Sequence, residues 1–178
     1  MALNEEYIRK INFLKNDLTR RMYEKLQCVQ FHAFFTYDIM TLDEAKTHTA
    51  ELVQSGTEWG KKWQYGWFFT EVDVPKNNKR VLFMAEPGEC LVFVNDKVMG
   101  ALDKEHTAID LSEFSGQTVK IAMEVYAGHD GNGEQPLNRV VLPGDVLDFP
   151  DDVCQRQVKD GSIGIFNEDV FMLWMDIN

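Results

Sequence analysis

Residues 119–126 place the tightest constraint on this chain: Val119, Ile121, Met123 and Val125 alternate with Lys120, Ala122, Glu124 and Tyr126. A period of two sends successive side chains to opposite faces of an extended strand, and no helix sorts them this way. The alternation recurs from Phe68 onward. Phe68, Thr70, Val72 and Val74 share one face, with Phe69, Glu71 and Asp73 on the other. Pro75 and the polar run Lys76-Asn77-Asn78-Lys79 close that strand. Residues 81–85 make the next, and Pro87-Gly88 turns the chain. Residues 90–94 and 97–101 flank Asn95-Asp96, a dipeptide that tolerates positive φ and suits a tight hairpin. Residues 107–111 and 162–166 read as further short strands. Many short strands separated by turn signals predict an antiparallel sandwich.

Helical spacing appears only at the ends. Tyr7, Ile11, Leu14, Leu18 and Met22 recur at three and four, with Asn4 as an N-cap, Glu5 and Glu6 in the first turn, and Arg20 and Arg21 in the last. This helix is expected to lie on a larger body. Asn167 is placed to cap a second helix carrying Val170, Leu173, Trp174 and Ile177 on one stripe. That stripe still runs at Asn178, so the expectation is a helix cut short on its way to a further domain. The stretch 128–161 is rich in Gly, Pro, Asp and Asn and is expected to wrap the sandwich as irregular chain. The expected organisation is a helical segment over 1–30, a β-sandwich over 31–166, and the start of a leading helix over 167–178.

Composition narrows the function classes. The 178 residues carry 18 Lys and Arg against 29 Asp and Glu, a net charge of −11, which argues against binding nucleic acid or an anionic membrane. The chain is too short for a (β/α)8 barrel, which takes roughly 200 residues or more. No apolar run approaches the roughly 20 residues that span a bilayer. The opening MALNEEYIRK has neither the basic nor the apolar region of a secretory signal. Cys28, Cys90 and Cys154 are odd in number and widely spaced, so they read as buried small side chains in a reducing cytoplasm.

Motifs for chemistry are sparse. His32, His48, His106 and His129 fall in no metal-ligand spacing, and no cofactor is expected in these residues. Asp130-Gly-Asn132-Gly-Glu134 resembles the opening of a calcium loop but lacks its closing Glu, and reads first as a solvated turn. There is no G-x-S-x-G elbow and no phosphate-cradling glycine loop. The informative cluster is aromatic: Trp59, Trp63 and Trp67 are three of the four tryptophans, interleaved with Tyr65, Phe68 and Phe69. Such rings either fill a core or an interdomain contact, or offer flat faces on which sugar rings stack.

The same residues carry a family resemblance. Gly56-Thr-Glu-Trp59-Gly60, followed by Trp63-Gln-Tyr65-Gly-Trp67-Phe68, resembles the N-terminal domain of glycoside hydrolase family 38 α-mannosidases of the bacterial and vacuolar type. So do Glu89 through Asn95-Asp96-Lys, then Gly100-Ala-Leu-Asp103 with His106-Thr, and Val125-Tyr-Ala-Gly-His129. The matches keep the family's order along most of the chain. The resemblance implies a non-catalytic jelly-roll sandwich of the galactose-binding-like kind, preceding a zinc-dependent, retaining catalytic domain. The family's H-x-H-I-D type zinc motif has no counterpart here, so zinc is expected only in that missing domain. Asp96, where Gly is usual, and Asp130-Gly-Asn-Gly after His129 are departures confined to turns. The expected role is support of the catalytic domain of the same polypeptide or of a homo-oligomer. The alternative is a carbohydrate-binding module gripping oligosaccharide through Trp59, Trp63 or Trp67. Trp59, Trp63, Tyr65, Trp67, Asp103 and His106 are the candidates for contact with substrate or a neighbouring domain.

Overall fold

The computed structural model describes residues 2–128 and 150–177. The chain opens with helix α1 (Ala2–Arg21), followed by β1 (Tyr23–Val29), β2 (Phe31–Thr36), the single-turn α2 (Leu42–Ala45), β3 (Glu51–Val53) and β4 (Glu58–Trp59). Next come β5 (Tyr65–Asp73), β6 (Arg80–Met84), β7 (Cys90–Val94), β8 (Lys97–Leu102), β9 (Ala108–Asp110) and β10 (Thr118–Tyr126). The described chain ends with β11 (Arg156–Gln157), β12 (Gly161–Phe166) and helix α3 (Glu168–Ile177).

The strands build two main antiparallel sheets, one of four strands in the order β1-β12-β6-β9 and one of six in the order β3-β2-β5-β10-β7-β8. They pack face to face as the expected antiparallel sandwich. Phe83, Val81 and Ile163 of the smaller sheet meet Phe68, Val92, Ile121 and Met123 of the larger in one core. Phe31 ties the layers together, its ring edge-on to Phe68 at 6.0 Å and to Phe83 at 6.4 Å. The alternation of residues 119–126 survives intact: Val119, Ile121, Met123 and Val125 are all core residues. The hairpin at Asn95-Asp96 also forms as expected, with φ of 48° and 69° at its two corners. Asn95 Oδ1 accepts from the backbone N–H of Lys120 at 3.0 Å, which pins the turn to β10.

The structure departs from the sequence reading at several points. The helix expected through residue 30 stops at Arg21, and Tyr23–Val29 is a strand paired with β12. Only Val29 of that strand is deeply buried, so it shows little apolar alternation. Asn4 lies inside α1 instead of capping it. The α1 stripe expected to pack on a larger body is mostly outward: Leu18 is buried, whereas Tyr7, Ile11 and Leu14 are exposed. Helix α1 packs against α3, which Asn167 caps as expected through Oδ1 to the Val170 N–H at 3.2 Å. Val170, Trp174 and Ile177 are half-buried and Leu173 is exposed, so the α3 stripe is covered in part. Residues 150–160, from the stretch expected to be irregular, include β11, which pairs with β4; residues 129–149 lie outside the described part.

Candidate functional site

Strand register decides which of the clustered aromatics reach solvent. Trp59 and Phe68 face the core, where Trp59 stacks on Phe35 at 5.1 Å and meets Phe68 edge-on at 5.3 Å. Gly66 is what lets Trp59 lie there, because a Cβ at that position would come within 2.8 Å of the indole. Trp67 faces the opposite way, yet is only 1 % exposed. It is covered by Leu42 and Ala45 of α2 and flanked by Phe69 at 6.2 Å and Phe93 at 6.1 Å, all three rings near parallel. Of the three tryptophans, Trp63 alone offers a large open face, at 50 % exposed. Its φ of 67° is an uncommon conformation for a bulky residue. Tyr65 is half-buried against Tyr126 at 5.3 Å. The structure therefore separates the expected platform into a core ring, a covered ring and an exposed ring.

Asp103 and His106 come together, but in a turn. Asp103 Oδ1 accepts from the backbone N–H groups of Glu105 and His106 at 2.7 and 2.6 Å, and His106 Nδ1 lies 3.1 Å from the same carboxylate. These contacts hold the Asp103 carboxyl below its ordinary pKa, with the His106 side chain the largest cause and its backbone N–H next. The arrangement secures the loop between β8 and β9, some distance along the chain from the aromatic cluster.

Sequence reasoning did not anticipate the groove on the outward face of the six-stranded sheet, with a volume of about 680 Å³. Register sets Leu52, His32, Phe69, Ala122 and Phe93 in one row across five adjacent strands. Phe69, Ala122 and Phe93 supply an apolar floor, and Phe34 extends it, stacked on Phe69 at 6.3 Å and on His48 at 4.8 Å. One row along, Glu71 stands opposite Lys120. Lys46, at the end of α2, reaches the hairpin tip to pair with Asp96, tying the helix over the sheet. A capping box fixes α2 itself: the Thr41 N–H donates to Glu44 Oε2 at 2.7 Å, and the Glu44 N–H donates back to Thr41 Oγ1 at 3.3 Å. The signal for this face was present in the sequence as Phe-His-Ala-Phe-Phe at 31–35, whose alternate residues His32 and Phe34 point away from the core.

Among the described residues no group of three His, Cys, Asp or Glu converges to hold a metal ion. The calcium-loop reading of Asp130 to Glu134 falls on residues outside the described part. No described helix is long and apolar enough to cross a membrane.

No family model matches the chain. Mouse alpha-mannosidase 2C1 is 23% identical over 97% of this chain. The chain is distantly similar to an α-mannosidase. It spans 17% of that relative's length. Among solved structures, a Faecalibacterium prausnitzii β-glucuronidase aligns with 82% of this chain and 32% of its own, at 10% identity and a TM-score of 0.48. A Ruminococcus gnavus β-glucuronidase in complex with uronic isofagomine aligns with 81% of this chain and 28% of its own, at 11% identity and a TM-score of 0.49.

Proposed function

We propose that this sandwich is a non-catalytic domain of an α-mannosidase, supporting a zinc-dependent, retaining catalytic domain of the same polypeptide, or its oligomer, in the cytoplasm. The observation that carries this reading is the 23% identity to mouse alpha-mannosidase 2C1, which runs over nearly the whole chain instead of a single motif. The geometry adds one support. Helices α1 and α3, which pack on each other, leave Tyr7, Ile8, Phe13, Met172 and Met175 exposed, apolar area of the kind interdomain contacts cover.

The test is to read the coding sequence flanking these codons and to express what it encodes with and without residues 1–178. A neighbouring α-mannosidase catalytic segment that is soluble and active only when joined to the sandwich supports the reading. Flanking sequence of unrelated chemistry, or a catalytic segment fully active alone, overturns it. The alternative of a sugar platform built on Trp59 and Trp67 finds no support in their burial. The outward groove is a different matter.

A further inference from the structure

We propose that the groove over Phe69 and Phe93 is a binding site for a neutral, hydroxyl-rich pyranose chain. The inference does not depend on the α-mannosidase reading, since a sandwich with any other parent carries the same groove. Its volume of about 680 Å³ lies within the range of about 300–1,000 Å³ common to small-molecule sites. The floor is apolar and held in place. Phe69 sits between Phe34 and Trp67, Trp67 between Phe69 and Phe93, with interplanar angles of 17°, 14° and 24° between successive rings. The C–H face of a pyranose loses apolar area to water on such a floor without desolvating its hydroxyls.

The rim supplies what those hydroxyls need. Gln30 just ahead of β2, His32 on β2, Glu71 on β5 and Lys120 on β10 border the groove with both donors and acceptors. Among the described residues none of these four side chains makes a hydrogen bond or ion pair, although Glu71 and Lys120 stand directly opposite each other. His32, Glu71 and Lys120 project from strands, which fix position better than loops do. Charge selects the ligand class. Lys120 balances Glu71 and Lys46 is paired with Asp96, so the rim carries no net sign, and the whole chain stands at −11. An anionic saccharide would meet neither a cationic clamp nor a favourable field.

The experiment is a backbone-amide NMR titration of the full chain with mannotriose, cellotriose and trigalacturonate, each to about 10 mM, where a millimolar site approaches saturation. The expected result is shifts at Phe69, Lys120 and Ala122 with at least one neutral trisaccharide, and binding of trigalacturonate weaker by about tenfold or more. His32→Ala and Glu71→Gln, on the exposed rim, should each weaken that binding several-fold with the rest of the spectrum native. Phe93→Leu, which keeps an apolar side chain and removes the ring, should weaken it about tenfold. Absence of shifts with both neutral trisaccharides, shifts centred on Trp63 instead, a preference for trigalacturonate, or indifference to all three substitutions would each overturn the proposal.

Discussion

Trp67 and Glu124 stand opposite one another on β5 and β10, and the indole Nε1 of Trp67 is buried with no hydrogen-bond partner among the described residues. Glu124 is half-buried beside it, and burial alone pushes its carboxyl above the ordinary glutamate pKa. The protonated form is therefore the one the fold prefers. A carboxyl whose pKa rises on folding binds more protons in the native state, so stability falls as pH rises from the unfolded pKa through the folded one. In urea midpoints measured from pH 4 to 7, the parent chain should lose stability relative to Glu124→Gln as pH rises. A parent chain whose midpoint climbs steadily over the same range, unchanged by the substitution, contradicts the assignment.

Thr41 has the opposite pH sense through Glu44. The Glu44 carboxylate accepts from the backbone N–H and the hydroxyl of Thr41, which hold its pKa down, the backbone bond being the larger cause. The cap of α2 is thus fully formed above the unfolded carboxylate pKa and fades as pH falls through the depressed one. Thr41→Ala should cost about 1 kcal/mol of local stability. Because α2 covers Trp67, the loss should register as faster amide exchange at residues 42–46 and a shift in tryptophan emission, with the core strands unaffected.

Gly164 sits where β12 passes β1 so closely that a Cβ would lie 2.3 Å from the Glu24 carbonyl oxygen and 2.5 Å from the Tyr23 ring. Gly164→Ala must push the two strands apart. A loss of about 3 kcal/mol is expected, at the upper end of overpacking costs. Amide exchange should show β1 released first.

Trp59 and Trp63 make a matched pair for separating core from surface. Trp59→Ala removes a ring that is 3 % exposed and should cost about 3–5 kcal/mol. Trp63→Ala, at a half-exposed position, should change stability by about 1 kcal/mol or less. Comparable losses at both sites would mean that Trp63 is bound into the core.

What the sequence revealed, and what it hid, follows from how many faces of a strand are covered. In β10 one face meets the core and the other carries Lys120 and Glu124, so the alternation is plain. In β2 the inward Phe31 and Ala33 are matched by His32 and Phe34 on an outward face partly roofed by α2, and the period of two dissolves into an aromatic run. Trp67 and Phe68 repeat the effect, being buried on opposite faces of β5. β1 fails for the reverse reason: five of its seven residues are exposed, so burial leaves almost no pattern to read. The groove was hidden more deeply. His32, Phe69, Ala122 and Phe93 are distant in sequence and become neighbours only through strand register.

Under the proposed function these residues form a domain that serves a glycosidase without performing the hydrolysis. The most direct measurement is the release of chromophore from an aryl α-mannoside by the purified chain, with and without added zinc or cobalt. No turnover above the buffer rate under any metal condition is the predicted result. Metal-dependent turnover that co-elutes with the folded chain and scales with its concentration would contradict it.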